Sequence, residues 1–131
     1  MSFSGFRQAI EAAFNTAWGS TTAIEWENVD FTPPATEFVR FQLRPGNTEQ
    51  ISISESPTMR EEGVILITIC VRPNTGTARY EELADMIATA LQRATLTAGV
   101  QCYETSRLPG SLVGDWYEVP TETVYQGDYQ A

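Results

Sequence analysis

The chain has 131 residues and a formal net charge of −9, with 17 acidic side chains, eight arginines and neither lysine nor histidine. The absence of histidine and lysine excludes imidazole bases, imidazole metal ligands, lysine Schiff bases and phosphate-loop lysines. The negative charge opposes generic binding to nucleic acids or anionic membranes. The length and a hydrophobic content of 42% predict one folded domain over residues 1–131 with its own core.

The first third of the chain predicts one helix followed by strands. Apolar side chains recur at steps of three and four from Phe3 to Ala17, which predicts an amphipathic helix with Gly19 as its stop. Segments with strand composition follow, separated by turns rich in proline, asparagine and glycine. The predicted strands are 21–26, 37–43 and 50–56, and the predicted turns are 28–34 and 45–47.

The strongest strand signal is GVILITICVR, residues 63–72, because nearly every position is apolar. Alternation places two apolar rows on opposite faces, so the strand is predicted to be central in the sheet. Two alternatives remain for the second face. Either the chain itself covers it, or a partner chain does.

The second half of the chain predicts another helix and more strands. Residues 78–96 have helical periodicity, with acidic residues near the start and Gly99 as a stop. Strands are predicted at 100–106 and 115–125, with a glycine- and proline-rich loop at 108–114 between them. The order α-β-β-β-α-β-β predicts an α+β fold, a mostly antiparallel or mixed sheet with two helices packed on a face.

The two cysteines and the first residues of the chain indicate the cellular compartment in which the protein is expected. Cys70 and Cys102 lie in predicted strands among apolar residues, so we expect buried, reduced thiols; a disulfide would require neighbouring strands with suitable geometry. The first residues lack a basic region and a signal-like apolar stretch, and the run 64–71 is far short of the roughly 20 residues of a membrane helix. We therefore expect a soluble protein that is made in the cytoplasm and does not enter membranes.

Carboxylate pairs are the main candidates for catalysis. Glu61/Glu62 and Glu81/Glu82 are adjacent in sequence, so their side chains point in different directions and do not share a target by spacing alone. Solvated faces or ion pairs with arginine are expected there. A carboxylate-based enzyme is the alternative, and it requires a deep cleft with two carboxyl groups roughly 5 to 10 Å apart. No calcium-loop or phosphate-loop pattern is present, so neither metal nor cofactor is predicted and the chain is expected not to be an enzyme.

Aromatic residues and arginine are the side chains most enriched at protein interfaces, and both are prominent here. Trp116 and Tyr117 are adjacent in a predicted strand, so one is expected to face the core and the other solvent or a partner.

Four longer strings span much of the chain: IEWENVDFTPP (24–34), FVRFQLRPG (38–46), REEGVILITICVRPNTGTARYEELADMIATAL (60–91) and GDWYEVPTETVYQ (114–126). None of them is a catalytic motif. Together with the leading helix, they resemble the tail terminator (tail completion) proteins of long-tailed bacteriophages.

The resemblance implies a virion structural protein that caps the head-proximal end of the tail tube. It implies a ring of six copies that ends tube polymerisation and offers a docking surface to the head connector, so the expected partners are the chain itself, the tail tube protein and the connector protein. DNA can pass through such a ring without sequence-specific binding, since an acidic ring repels it.

We hypothesise that arginines of one subunit bond carboxylates of its neighbour, beside an aromatic and apolar patch. The residues assigned to this subunit or tube interface are Arg40, Arg60, Glu61, Glu62, Arg72, Arg79, Trp116 and Tyr117.

Two other classes of protein remain open. A different head-tail joining or minor tail protein of the same fold would, when lost, leave normal tails that fail to attach, whereas loss of a terminator would give overlong tubes. A binding or adaptor domain would be a stable monomer with one concave apolar pocket.

Overall fold

A six-stranded mixed sheet with two helices on one face forms the fold, in a computed structural model that describes residues 3–131. The predicted α+β class and order are confirmed, and a three-residue strand is added inside the loop predicted at 108–114. The helices are α1 (Phe3–Trp18) and α2 (Ala78–Leu91), with a 3₁₀ turn at Thr97–Gly99. The strands are β1 (Ala23–Glu25), β2 (Glu37–Gln50), β3 (Thr58–Val71), β4 (Val100–Arg107), β5 (Ser111–Val113) and β6 (Trp116–Gln130).

The strands lie in the order β1-β2-β3-β6-β4, and β5 pairs with the start of β6. β1 and β2 are parallel, whereas the pairs β2–β3, β3–β6, β4–β6 and β5–β6 are antiparallel. The prediction that the strongest strand is central is confirmed, because β3 pairs along its length with β2 on one side and β6 on the other.

The hairpin between β2 and β3 differs from the prediction. The turn predicted at 45–47 is wrong, since β2 continues to Gln50 through a register shift between Pro45 and Thr48. The strand predicted at 50–56 is also wrong, because these residues form most of the loop at the hairpin tip. A bulge tolerates proline within a strand, and glycine allows close backbone approach: a Cβ at Gly46 would lie 2.5 Å from the Glu62 carbonyl oxygen.

Helix α2 ends at Leu91, five residues before the predicted end at residue 96. Arg93 adopts a left-handed conformation with φ of 58°, which turns the chain alongside β4. There the Cys102 amide donates to the Ala94 carbonyl and the Leu96 amide to the Val100 carbonyl, each at 2.8 Å. Neither helix, nor any other helical segment in residues 3–131, is long and apolar enough to cross a membrane.

The core lies between the helices and the odd-numbered positions of the central strands. Alternation points these positions to one face, and the helices present their apolar stripes to it. The principal buried side chains are Phe6, Ile10 and Phe14 of α1, Leu83 and Ile87 of α2, Val39 and Phe41 of β2, and Ile65, Ile67 and Ile69 of β3.

No helix or second sheet of the described chain covers the opposite surface, which we call the open face. It consists of the even-numbered side chains of β3, of β6 and of the part of β2 before its register shift. Part of it is nevertheless buried, since Phe38 is 2% exposed and packs between Phe31 and Trp116, with ring centroids 5.0 and 4.9 Å away. Val124, further along the same face, is 47% exposed. The chain therefore covers one end of this face and leaves the other accessible.

Both cysteines are free and buried, as predicted. Cys70 lies on the open face, whereas Cys102 belongs to the core beneath the helices. Desolvation raises the pKa of the Cys70 thiol to about 12 and that of Cys102 to about 11.

Because the thiolate is the reactive form, neither cysteine of the folded protein should be alkylated by iodoacetamide at pH 8. Intact mass spectrometry of native and denatured samples checks this prediction. We expect no adduct in the native protein and two adducts after unfolding; rapid native labelling of either thiol would contradict the burial.

Candidate interaction surfaces

Arg40 links three strands of the open face. Its Nε donates to Glu25 Oε1 at 3.1 Å, and its two terminal nitrogens donate to the Glu118 carboxylate at 3.3 and 3.4 Å. Desolvation lowers the pKa of Arg40, while the hydrogen bonds to Glu118 and Glu25 raise it by more, so the net shift is upward. This arginine, predicted at a subunit interface, thus has carboxylate partners in its own chain on β1 and β6.

Arg60 forms a two-pronged ion pair with Asp128, directly opposite it on β6. Nε and one terminal nitrogen donate to the two carboxylate oxygens at 2.8 and 3.0 Å. These hydrogen bonds lower the pKa of Asp128, and a bidentate pair of this kind is geometrically specific. The pair connects β3 to β6 near the hairpin.

Replacing Arg60 with alanine should raise the pKa of Asp128 towards its usual value. The lowered folded-state pKa means that Asp128 stabilises the fold above its ordinary pKa and loses this contribution as the pH falls through the folded value. A carboxyl-detected NMR titration of wild type and Arg60→Ala measures the shift. Arg93→Ala is the matched control, because this arginine forms an exposed ion pair with Glu104 and not with Asp128. An unchanged Asp128 titration in Arg60→Ala would contradict the assignment.

Arg79 and Arg72 also have partners within the chain. Arg79 binds the Glu37 carboxylate and, one helical turn on, Glu82. Arg72 donates from Nε to the Ala35 carbonyl at 2.8 Å, and its guanidinium carbon lies 4.0 Å from the centroid of the Trp116 ring. The cation therefore holds the loop before β2 against the start of β6.

Glu61 and Glu62 point in different directions, as predicted, but Glu61 is neither solvated nor paired with arginine. It is 4% exposed, and its Oε2 accepts a hydrogen bond from the Tyr125 hydroxyl at 2.6 Å. Burial and the Glu61 carboxylate both raise the pKa of Tyr125. No local pattern signals this pair, because the contact depends on the β3–β6 register. Glu62 is exposed and has no ion pair among residues 3–131.

Trp116 and Tyr117 lie on opposite sides of the sheet, as predicted. Tyr117 packs on the helix side, with its ring centroid 5.7 Å from that of Tyr80. Trp116 lies on the open face against Phe38. Both rings are half-buried.

Carboxylates gather at a cavity of about 400 Å³ beside β1, which is lined by Glu25, Glu27 and Asp30. Glu25 accepts from Arg40, and Glu27 accepts from Arg7 at 3.0 Å and from the Leu43 amide at 2.5 Å. These bonds attach the segment after β1 to helix α1 and strand β2. Across residues 3–131, no group of three or more cysteine, aspartate or glutamate side chains is arranged to hold a metal ion.

Most of the charged side chains without an ion pair on the described surface are acidic. Within the described chain, Arg44 is the arginine that has no hydrogen-bond or ion-pair partner. Several carboxylates on the described surface likewise form no ion pair. They are Asp30, Glu49, Glu55, Glu62, Asp85, Asp115 and Glu122.

Two groups of exposed apolar side chains, which the sequence did not identify as interface candidates, lie at opposite ends of the sheet. Ile53 at the hairpin tip is 99% exposed, and Phe3 at the start of α1 is 59% exposed. Leu112 and Val113 of β5 form the second group. The alternation of Ile51 and Ile53 predicts one apolar side for this segment. Nothing in the sequence indicates that these side chains remain exposed to solvent.

The fold and these surfaces define a small α+β protein whose prominent features are paired charges, exposed apolar ends and a partly uncovered sheet face, as suits a structural component of an assembly. The sequence matches the model of a family described as phage tail terminator protein over residues 6–125, and the chain belongs to this family. It is thus a structural protein of a phage tail.

Two of the solved structures that match this chain show the same fold. One is a protein without a functional name, with a TM-score of 0.73 and 19% identity over 96% of this chain and 95% of that chain. The other is a chain in the virion of a native gene transfer agent particle, with a TM-score of 0.53 and 16% identity over 95% of this chain and 93% of that chain. No curated protein matches the sequence.

Proposed function

We propose that copies of this chain form a ring on the head-proximal end of the tail tube, where the ring ends tube polymerisation and presents a docking surface to the head connector. The observation that carries the proposal is membership of the tail terminator family over residues 6–125. The ring has six copies, and its partners are the chain itself, the tail tube protein and the connector protein.

The surface supports self-assembly in a ring. Exposed apolar side chains include two separate groups, one at the hairpin tip with Ile53 and one at β5 with Leu112. Contacts between two different surfaces are heterologous, and a heterologous contact closes into a ring when its rotation allows. A tail component also needs separate surfaces for the tube and for the connector.

The interface residues assigned from sequence stay a prediction. Arg40, Arg60 and Arg79 have carboxylate partners in their own chain. An ion pair with a neighbouring subunit must therefore either form in addition to these pairs or replace them. Glu62 is exposed and without an ion pair in residues 3–131, so it is available to a guanidinium of the next subunit. Glu61 becomes available only if its hydrogen bond from Tyr125 opens.

The charge distribution suits a ring through which DNA passes. Unpaired carboxylates outnumber unpaired arginines on the described surface, and the whole chain carries a charge of −9. A ring of such chains repels phosphates, so DNA slides through without sequence-specific binding. The chain would act within the virion after synthesis in the host cytoplasm.

The proposal is tested with purified tail tube protein that polymerises in vitro. Adding the chain at a small molar fraction should shorten the tubes and leave one end of each tube capped by a ring in negative-stain images. A tube-length distribution that does not change with added chain, under conditions where the chain is folded, would overturn the proposal.

A further inference from the structure

Strand β5 leaves one of its two edges unpaired. It pairs with β6 and with no other strand of residues 3–131. Its three side chains are exposed, and two of them are apolar: Leu112 is 65% exposed and Val113 is 50% exposed. An exposed apolar edge strand is a template for pairing with another chain, and proteins usually block such edges.

The backbone of Leu112 faces this free edge. Val113 and Trp116 are paired across the two-residue loop 114–115, and Gly114 has a φ of +58°, which suits the first position of such a loop. The two residues that close the loop exchange hydrogen bonds, and bonded pairs alternate with non-bonded pairs along antiparallel strands. The amide and carbonyl of Leu112 therefore point away from β6 and are available to an incoming strand.

The other long edges of the sheet are protected by the chain itself. At β4, the Arg93 amide donates to the Tyr103 carbonyl at 2.9 Å, and the Thr105 amide donates to Gln92 Oε1 at 3.1 Å. At β2, Pro45 and the register shift interrupt the edge beyond β1. Prolines and bulges prevent unwanted strand pairing. Residues 111–113 contain neither proline nor a charged side chain, so β5 lacks this protection.

The opposite edge of the sheet ends on β1, at the same level as β5. Among the strands of the described chain, β1 pairs with β2 alone. Three antiparallel pairs separate β2 from β5, so β1 and β5 run in opposite directions. The pairing register crosses the sheet from β1 to β5 through one residue of each strand: Ala23, Phe38, Cys70, Glu118 and Ser111.

We propose that β5 of one copy pairs antiparallel with β1 of the next copy, so that neighbouring copies share one continuous sheet. A second copy fits the free edge of β5, because its β1 supplies an unpaired edge of opposite direction in the same row. The two edges are different surfaces, so each copy gives one and receives the other, which is the heterologous contact that a ring requires. The inference rests on the ring of the proposed function and names the contact that closes it.

A cysteine cross-link between differently tagged, co-expressed copies tests the contact. One copy carries Ser111→Cys and the other carries Ala23→Cys; both positions are exposed and lie in the shared row. The native thiols are buried, so a short bismaleimide reacts with the introduced thiols. We expect a cross-linked heterodimer in the oligomers. Homodimers from Ser111→Cys alone would show that two β5 edges pair with each other, which overturns the proposal.

The matched control replaces Ala23→Cys with Ile53→Cys. Ile53 is 99% exposed, so its thiol would be the more accessible of the two. It lies at the tip of the β2–β3 hairpin, next to the end of β6, whereas β5 pairs with the start of β6. The control should give at most a small fraction of the heterodimer yield. Equal yields from the two positions would overturn the pairing of β5 with β1.

A backbone variant tests the strand pairing without a linker. Leu112→Pro removes the amide donor of the free edge, and proline is tolerated on an edge strand whose amide faces solvent. It should weaken self-association at least roughly 10-fold, since a carbonyl of the neighbouring strand then lacks its donor. Leu112→Val keeps the amide and should associate as the wild type does. Circular dichroism verifies that both variants are folded.

Light scattering on the same samples separates this inference from the proposed function. Oligomers that form without the heterodimer, or that form equally well with Leu112→Pro, overturn the pairing of β5 with β1 and leave the ring intact. A chain that stays monomeric both in solution and on tail tubes overturns both.

Discussion

Replacing Phe14 with alanine should lower the free energy of unfolding by about 3–5 kcal/mol, a large fraction of the stability of a small domain. Phe14 is fully buried, and it stacks on Trp18 with ring centroids 5.2 Å apart and lies 5.9 Å from the Phe41 ring of β2. Its removal leaves a cavity where α1 meets the sheet, and surrounding aromatic rings cannot collapse fully into it.

Urea denaturation followed by tryptophan fluorescence measures this effect, with Phe3→Ala as the control. Phe3 is the same residue type in the same helix but is 59% exposed, so its loss should cost less than about 1 kcal/mol. Similar losses for the two variants would contradict the packing of α1 on β2.

Gly63→Ala should have the second-largest effect. A Cβ at this position would lie 2.6 Å from the Arg44 carbonyl oxygen and 2.7 Å from the Tyr125 ring. The backbone of β2 cannot yield without breaking its pairing with β3, so we expect a loss of about 1–3 kcal/mol or more from overpacking. The Tyr125 ring would also shift and weaken the hydrogen bond from its hydroxyl to Glu61.

Gly19→Ala is the matched control for Gly63→Ala. A Cβ added at Gly19 would meet no heavy atom within 4 Å, but φ is +58°, so the variant should show the backbone penalty of about 1 kcal/mol alone. Thermal unfolding by circular dichroism compares the two variants. A Gly63→Ala protein as stable as Gly19→Ala would contradict the close approach of β2, β3 and Tyr125.

The elements with strong periodicity were predictable. The stripe from Phe3 to Ala17 predicted α1, and the nearly all-apolar run in β3 predicted the central strand, because a strand buried along both rows typically has that composition. The hairpin was less predictable. Proline and glycine at 45 and 46 are common in turns, and the bulge that carries β2 past them depends on pairing with residues far along the chain.

The candidate surfaces were predictable in residue type but not in partner. Arginine and aromatic side chains do lie at the candidate surfaces. Their partners could not be predicted, because Arg40 reaches Glu118 and Arg60 reaches Asp128 only through the register in which β6 pairs with β3. That register places residues nearly 80 positions apart next to each other. The exposure of Ile53 also depends on the hairpin projecting beyond the cover of the helices, which local patterns do not encode.

Tail length in particles assembled without this chain decides whether it acts as a terminator. We predict tail tubes that continue past their normal length and lack attached heads, because nothing ends polymerisation at the head-proximal end. Supplying the wild-type chain in trans should restore both length and attachment. Tails of normal length that fail to attach would contradict a terminator and would indicate a head-tail joining protein of the same fold.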